Sequence, residues 1–291
     1  MSHLNDIDNM YYRPFRYILV ATLFFFLWQA CDEDDPSVNA SRLRLKLTDA
    51  ASLVIRDLFV DISEISVFLV DNETGEGEWV ILDFPGKAYD VLKLRNGKTV
   101  QLVDQYVPAG GELQQIRLKF GNNSRMVVIT DVNIETIPLL IPPALEDGLV
   151  IDAIPMEMRL NTISNIVIDL NAALSVLITE NNDHYLYPVA RAFPEVYGGK
   201  LKGYVAPLGT NPYIKVIQDT DTFFSLPERE NLGDEMMMFQ FIGLKEGDWE
   251  VHFMPDPEAN FKDTVIIAAI EEGQTFNISP KPVRLKPLTE E

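Results

Sequence analysis

The chain contains many short runs in which apolar and polar residues alternate. Between Arg42 and Thr48, leucine occupies every second position and charged residues lie between. Successive side chains of a strand point to opposite faces, so a period of two predicts a half-buried β-strand. Similar runs recur at Leu58–Val70, Trp79–Leu82, Tyr89–Leu94, Val100–Val103, Gln115–Phe120, Met126–Thr130, Ile166–Leu170, Leu174–Thr179 and Tyr185–Ala190.

Turn-forming residues separate these runs, as at Pro85-Gly86, Asn96-Gly97 and Asn181-Asn182-Asp183. Strands and turns at this spacing predict an all-β sandwich. No run combines a sustained 3.6-residue apolar period with caps at both ends. Only Ala51–Arg56 and Leu92–Asp104 are candidates for short helices.

A second series of strand-like runs follows Tyr197-Gly198-Gly199, which we interpret as a hinge because paired glycines weaken strand and helix alike. We therefore predict two consecutive β-sandwich domains, at residues 42–195 and 196–291. The runs of the second domain lie at Lys200–Val205, Tyr213–Ile217, Met237–Phe241, Trp249–Phe253, Val265–Ala269 and Phe276–Ile278.

The longest apolar run, Tyr17–Ala30, precedes both series. A spanning helix needs about 20 apolar residues, whereas this run has the length of the hydrophobic region of a signal peptide. We predict that residues 1–30 are a signal peptide. Asp6 and Asp8 are unusual in such a leader, and a start at Met10 would exclude them.

The leader is followed directly by Cys31, the only cysteine of the chain. Ala30-Cys31 resembles the lipobox of bacterial lipoproteins, and Asp32, Glu33, Asp34 and Asp35 resemble the export signal of Bacteroidetes surface lipoproteins. This resemblance implies lipidation of Cys31, residues 31–41 as a lipidated tether, and an outer-membrane location facing the cell exterior. The alternative is an unpaired thiol followed by a solvated linker.

Composition limits the remaining possibilities. With Cys31 used as an anchor, no disulfide and no multi-cysteine metal site can form. The 24 basic residues face 44 acidic ones, which gives a net charge of −20. Phosphate backbones are bound through Lys and Arg, so we expect no nucleic-acid partner.

Several segments, in their order, resemble the family catalogued as domain of unknown function 4382. The resemblance covers Arg42 to about Phe193. It implies a prealbumin-like or immunoglobulin-like sandwich on a bacterial surface lipoprotein, and no activity. The segments that carry it are Arg42–Ala50, Trp79–Leu82, Tyr89–Leu94, Pro108–Gly110, Gln115–Asn123, Ile168–Ala172 and Tyr185–Arg191.

Phe239–Val251 resembles the carboxypeptidase regulatory-like domain, a small transthyretin-type sandwich. Lys245 stands where proline is usual and Trp249 where tyrosine is usual. The resemblance implies an accessory spacer or binding unit that does no chemistry.

The sequence offers little for catalysis. His184 and His252 are the histidines beyond the leader, and no serine lies in a Gly-x-Ser-x-Gly elbow. We expect His252 on a sheet face and His184 in a solvated turn. Carboxylate pairs such as Asp219 and Asp221 are common in a chain this acidic, so we predict that the protein is not an enzyme and has no cofactor.

Calcium is the most plausible small ligand, since it prefers six to eight oxygen ligands. The candidate residues are Asp183, Asp219 and Asp221, which lie in oxygen-rich turns. Because Asn and Asp also form ordinary turns, the alternative is a turn without a metal.

Aromatic side chains are the candidates for ligand binding, because they combine a large contact area with a polar group. Tyr197, Tyr204 and Tyr213 lie near the predicted hinge, whereas Trp79 and Trp249 are expected in the cores. These observations favour a non-catalytic binding or adhesion module for a glycan or protein ligand. The alternative is a structural spacer or assembly subunit without a ligand.

Overall fold

A computed structural model describes residues 37–50, 55–130, 133–278 and 281–288. The described chain is all-β, as predicted, and its helical segments are single 3-10 turns. Its strands are β1 (Ala40–Ala50), β2 (Asp57–Asp71), β3 (Gly77–Ile81), β4 (Lys87–Asp90), β5 (Val100–Pro108), β6 (Gly111–Phe120), β7 (Arg125–Thr130), β8 (Asn133–Pro138), β9 (Leu149–Glu157), β10 (Ile163–Asn171), β11 (Val176–Ile178), β12 (His184–Leu186), β13 (Ala190–Pro194), β14 (Gly199–Ala206), β15 (Tyr213–Gln218), β16 (Asp221–Ser225), β17 (Met237–Leu244), β18 (Gly247–Met254), β19 (Thr264–Ile270), β20 (Thr275–Asn277) and β21 (Val283–Arg284).

Strands β1 to β13 belong to the first half of the described chain and strands β14 to β21 to the second half. The main sheet of the first half has the order β5-β1-β10-β13-β9-β6-β2-β7-β8, and β3 and β4 also pair with β2. The sheet has two sections, β5-β1-β10-β13 and β9-β6-β2-β7-β8, which are linked between β13 and β9 at one residue pair, Ala192 with Ala153. Buried side chains from both sections form a single cluster, so the sections enclose one core. The leucines of β1 lie in it, fully buried, as their alternation predicts.

The second half contains two four-stranded sheets. One has the order β17-β14-β20, with β21 also on β14, and the other has the order β16-β15-β18-β19. Phe239 of β17 contacts Phe253 of β18, with ring centres 5.5 Å apart, inside a second buried cluster. Trp249 is fully buried in that cluster, which confirms its predicted place in a core.

Other local expectations differ from the structure. Leu92–Asp104 contains the end of a one-turn 3-10 helix and most of β5 rather than a longer helix. Strands β8, β9, β16 and β21 lie outside the predicted runs. Pro138 and Pro155 interrupt the pattern of β8 and β9, because proline cannot donate to a strand ladder. Residues 51–54 of the other helix candidate lie outside the described residues.

Trp79 is not fully enclosed in the core. Its half-buried ring lies 5.3 Å from that of Phe68, and the guanidinium carbon of Arg117 lies 3.9 Å from the Trp79 ring centre. A cation above the face of such a half-buried ring is attracted by its π electrons.

The two glycines of the predicted hinge, Gly198 and Gly199, allow neighbouring residues to pack closely against the main chain. Gly198 has a φ of +63°, and a Cβ there would overlap the Leu244 carbonyl oxygen. Both glycines are buried, and Asn39–Glu291 forms one compact unit. The division into domains at residue 196 stays a prediction.

Candidate ligand-binding site

Arg191 joins the two halves of the compact unit. Its Nη1 donates to the Gly243 carbonyl at 2.7 Å and its Nη2 to the Ile242 carbonyl at 2.9 Å. Its Nε donates to Asp169 Oδ2 on the neighbouring strand at 2.9 Å. The planar guanidinium therefore holds β13 against the main chain of β17, with the orientation of Arg191 fixed by Asp169.

Aromatic rings surround the same guanidinium. Its carbon lies 3.8 Å from the ring centre of Phe223 and 4.8 Å from that of Phe193. Gly243 has a φ of +62°, and a Cβ there would overlap the Phe193 ring. Glycine at this position permits both the left-handed backbone and the close approach of the ring.

Asn96 forms a second connection between the halves and is 6% exposed. Its Nδ2 donates to the Leu226 carbonyl at 3.0 Å, and its Oδ1 accepts from the Ser225 hydroxyl at 2.6 Å and the Gln240 amide at 3.4 Å. The turn at Asn96 thus covers the outer face of β17 beside Gln240. That face is therefore covered by the first half at this point.

Two ion pairs lie beside this turn. Glu228 interacts with Lys98 and with Arg95, whose Nε lies 3.5 Å from the carboxylate. Glu228 also forms a β-bridge with Met238, which is 8% exposed. Hydrogen bonds to buried groups and paired charges together resist separation of the halves.

A cleft of about 210 Å³ opens beside Arg191. We call this space the junction cleft. Aromatic rings from both halves and small neighbouring groups form its apolar lining, which consists of Ile154, Ala192, Phe193, Tyr197, Phe223, Gly243 and Trp249. Two acidic and two basic side chains form its polar lining, which consists of Asp152, Asp221, Arg191 and Lys245.

Three of the four charged side chains that line the junction cleft form ion pairs, and the fourth, Asp152, has a hydrogen bond from a neutral amide. Lys245 Nζ lies 2.7 Å from Asp221 Oδ2, and this hydrogen bond raises the pKa of Lys245. Asp152 Oδ1 accepts from Gln115 Nε2 at 2.7 Å, and Arg191 is paired with Asp169. The cleft therefore presents aromatic surface with little uncompensated charge, which suits a neutral ring better than an ion.

The three predicted binding tyrosines do not share this cleft. Tyr197 lines it, with its ring centre 6.2 Å from that of Phe193. The Tyr204 hydroxyl instead donates to Glu230 Oε2 at 2.8 Å, which raises the pKa of Tyr204. Tyr213 begins β15 and pairs with Met254 on β18. Only Tyr197 among the three is placed with other candidate residues.

The predicted calcium ligands are not assembled into one site. Among the described residues, no group of three or more His, Cys, Asp or Glu side chains could hold a metal ion. Asp219 lies in the β15–β16 turn with a φ of +51°, and the Asp183 amide donates to the Thr179 hydroxyl in another turn. Asp221 is paired with Lys245. Calcium binding by these residues stays a prediction.

The histidines lie apart from the cleft lining. His252 Nε2 is 2.9 Å from Glu250 Oε2 on β18, a sheet-face position as expected. His184 begins β12 rather than lying in a turn, and its carbonyl accepts from the Leu140 amide at 2.9 Å. Cys31, Asp32, Glu33, Asp34 and Asp35 lie outside the described residues.

Sequence reasoning did not select Arg191, Phe193 or Phe223 as site residues. Arg191 alternates with apolar neighbours in an ordinary strand pattern, and β16, which carries Phe223, lay outside the predicted runs. Their contacts join distant parts of the chain, so no local pattern marks them.

Within the part of the chain that the structure describes, no helix is long and apolar enough to cross a membrane. The model of the family described as "Domain of unknown function (DUF4382)" matches residues 40–188. This match confirms the resemblance seen in the first half of the sequence. No curated protein matches the chain.

Three solved structures show a distant likeness. The shaft pilin SpaA of Lactobacillus rhamnosus GG is 8% identical, with 85% of this chain and 98% of that chain covered and a TM-score of 0.21. A candidate adhesin of Bacteroides ovatus ATCC 8483 is 9% identical, with 90% of this chain and 99% of that chain covered and a TM-score of 0.24. The fimbrial anchor protein Mfa2 of Porphyromonas gingivalis is 9% identical, with 79% of this chain and 82% of that chain covered and a TM-score of 0.19. Likeness at these TM-scores carries no inference about function.

Proposed function

The chain belongs to the family of the domain of unknown function DUF4382, and on that premise we propose that it is a non-catalytic cell-surface protein that binds a glycan or protein ligand in the junction cleft. The observation that carries this proposal is the aromatic lining of the cleft. Tyr197 and Phe223 are half-buried there, beside the buried rings of Phe193 and Trp249. Ligand sites combine such apolar surfaces with a few polar groups.

The size of the cleft limits its ligand. Pockets for drug-sized molecules have volumes of about 300–1,000 Å³, and this cleft has about 210 Å³. It therefore suits a single ring, either one sugar unit of a glycan or one side chain of a protein. Hydrogen bonds to Lys245, Asp221 and Asp152 at the polar lining would orient that ring.

The proposed location rests on the N-terminal sequence. An apolar leader, a lone cysteine and four consecutive acids occur together at Tyr17–Asp35. In this proposal Cys31 carries the lipid, the anchor lies in the outer membrane, and the compact unit faces the cell exterior. The second sandwich would act there as the carboxypeptidase regulatory-like accessory unit that Phe239–Val251 resembles.

Binding can be tested with the chain from residue 32 onward, which contains the whole compact unit. We expect a glycan array or a binding assay against defined surface proteins to identify a ligand. Tyr197→Ala should weaken that binding by up to about ten-fold, because a stacked ring contributes about 0.5–1.5 kcal/mol. Tyr213→Ala is the control, since Tyr213 is also a half-buried tyrosine but begins β15 and does not line the cleft.

Two results would refute the cleft as the binding site. One is a bound ligand whose affinity is the same for Tyr197→Ala as for the wild type. The other is equal weakening by Tyr197→Ala and Tyr213→Ala, which would indicate a general effect of losing a tyrosine.

The spacer function is the second candidate, and the fixed junction favours it. Arg191 and Asn96 hold the two halves through hydrogen bonds to main-chain groups, so the compact unit would keep a constant length. A spacer should give no ligand in either screen. Its solution scattering should fit one rigid shape, and Asn96→Ala should broaden the distribution of interdomain distances.

A further inference from the structure

Strand β19 is an open sheet edge without the usual protection. It ends the order β16-β15-β18-β19, so β18 is its only ladder partner among the described strands. Its seven residues, Thr264–Ile270, include no charged residue, proline or glycine. Edge strands normally carry such residues because unpaired main-chain groups recruit other strands.

The other long edge strands of the described sheets carry charged residues, prolines or contacts with other parts of the chain. On β5, Asp104 is paired with Arg42 and Arg44, and β8 carries Glu135 and Pro138. The Ser225 hydroxyl at the end of β16 donates to Asn96 of the first half. On β17, the bridge between Glu228 and Met238 covers the free side. The exposed edge of β19 is thus a distinctive feature of this fold.

The outer face of β19 is apolar as well. Val265 is 50% exposed and Ile267 is 58% exposed, whereas Ala268 and Ile270 are buried on the inner face. Val265 pairs with His252 and Ile267 with Glu250. An added strand could therefore extend the sheet through main-chain hydrogen bonds and cover two exposed apolar side chains at the same time.

Charge decides which strand fits this edge. Asp263 precedes β19 and Glu271-Glu272 follows it, and all three residues are exposed. Asp248 and Glu250 of β18 add negative charge on the neighbouring strand. The ammonium groups near these five carboxylates along the chain or across the ladder are those of Lys200, Lys215, Lys262 and Lys286. Lys245 precedes Asp248 but is paired with Asp221, so the carboxylates are still in excess.

A second copy of this chain fits poorly. Antiparallel pairing of two β19 strands centred on Ile267 would place Asp263 of each copy opposite Glu271 of the other. Like charges directly opposite each other destabilise a strand pair, and each copy also carries a net charge of −20. The same acids would instead attract lysine or arginine at both ends of an incoming strand.

We propose that β19 is a docking edge for an extended basic segment of another protein. The segment adds as a further strand beside Thr264–Ile270, with apolar side chains against Val265 and Ile267. Its lysines or arginines lie near Asp263 at one end and Glu271-Glu272 at the other. This surface is separate from the junction cleft and does not depend on a ligand there.

The test uses a fluorescent synthetic peptide of about nine residues, the length of an ordinary strand, in which valine alternates with threonine and two lysines flank each end of the alternating run. A twin peptide carries glutamates in place of the lysines. We expect the basic peptide to bind the chain from residue 32 onward, measured by fluorescence anisotropy, and the acidic twin not to bind. Hydrogen exchange should slow at the amides of β19 when the basic peptide is bound.

Ile267→Lys should weaken binding of the basic peptide about ten-fold or more, because it adds like charge and removes an apolar contact. Ile134→Lys on edge strand β8 is the matched control, since Ile134 is 56% exposed, and it should leave binding unchanged. Val265→Lys is a second test variant. Thermal melts show that each variant is folded.

Three results would overturn the proposal. In the first, the acidic twin binds as tightly as the basic peptide. In the second, the basic peptide binds Ile267→Lys and Ile134→Lys with the same affinity. In the third, no peptide binds and sedimentation shows a dimer that Ile267→Lys dissociates, which would make a second copy the occupant. Unchanged peptide binding by Tyr197→Ala would separate this edge from the junction cleft.

Discussion

The guanidinium carbon of Arg191 lies 3.8 Å from the centre of the Phe223 ring. This contact joins β13 of the first half to β16 of the second. The same guanidinium donates to the carbonyl groups of Ile242 and Gly243. One side chain thus contributes both to the rigid junction and to the wall of the cleft.

Arg191→Met should destabilise the compact unit by about 2–3 kcal/mol, because two main-chain carbonyls and Asp169 lose a charged hydrogen-bond donor. Urea denaturation measures the free energy of unfolding. Arg159→Met is the control, since Arg159 forms an ion pair with Glu157 while its side chain is 71% exposed, and it should change stability by less than about 0.5 kcal/mol. Equal losses in the two variants would contradict the role of Arg191.

Gly243→Ala should also weaken the junction. The added methyl group would overlap the Phe193 ring, and the backbone at φ +62° disfavours any residue with a Cβ. We expect a loss of about 2 kcal/mol or more in the free energy of unfolding. Gly233→Ala has open space around the added Cβ and should have little effect. A neutral Gly243→Ala would show that Phe193 can move away at no cost.

The buried carboxyl group of Asp49 should make stability depend on pH. Asp49 is 5% exposed, its Oδ1 accepts from the Ala172 amide at 3.0 Å, and its Oδ2 has no hydrogen-bond partner among the described residues. Burial raises its pKa well above the ordinary value of 3.8. The folded state therefore holds this proton more tightly than the unfolded state, and Asp49 lowers stability as the pH rises above 3.8 towards the folded pKa.

Asp49→Asn should remove this dependence and make the protein more stable than the wild type at pH 7. Urea midpoints measured between about pH 4 and pH 8 test it. Asp104→Asn should instead be less stable than the wild type at pH 7, because the hydrogen bond from Arg42 lowers the pKa of Asp104. The stabilisation by Asp104 is present above pH 3.8 and is lost as the pH falls through the folded pKa. Urea midpoints measured below pH 4 should show this difference shrinking. Parallel profiles for Asp49→Asn and the wild type would refute the first expectation.

Cys31 should carry the lipid anchor. Cells grown with a fatty-acid analogue should label the wild-type chain and not Cys31→Ala. Replacing Asp32, Glu33, Asp34 and Asp35 by their amides should preserve the label and reduce cleavage by protease added outside the cells. Equal labelling of the wild type and Cys31→Ala would reject lipidation at this residue.

Local patterns predicted much of the fold because a half-buried strand requires apolar and polar residues to alternate along its own sequence. The leucines of β1 face the core at every second position, and Trp249 is buried as expected. The pattern failed where tertiary contacts decide the structure. Strand β16 is short, and its place beside the first half depends on the Ser225–Asn96 contact, which lies between residues far apart in the sequence.

The candidate site was predicted only in part for the same reason. Tyr197 was chosen as a residue near two glycines, but its neighbours Phe193 and Phe223 come from strands whose patterns resemble any other. Tyr204 and Tyr213 lie away from the cleft lining, although they were chosen by the same reasoning. A sequence shows which rings are available, and packing decides which rings meet.

The sequence by itself determined the all-β class, the likeness to the DUF4382 family and the acidic charge, because alternation, residue order and composition are properties of the chain alone. It also predicts a leader and a lipid anchor at Cys31, which lie outside the described residues. Only the tertiary structure decided that Arg191 would meet Phe223, that the cleft would form beside them, and that β19 would end its sheet. Those features depend on contacts between residues that are distant along the chain, and such contacts exist only after the strands have paired and packed.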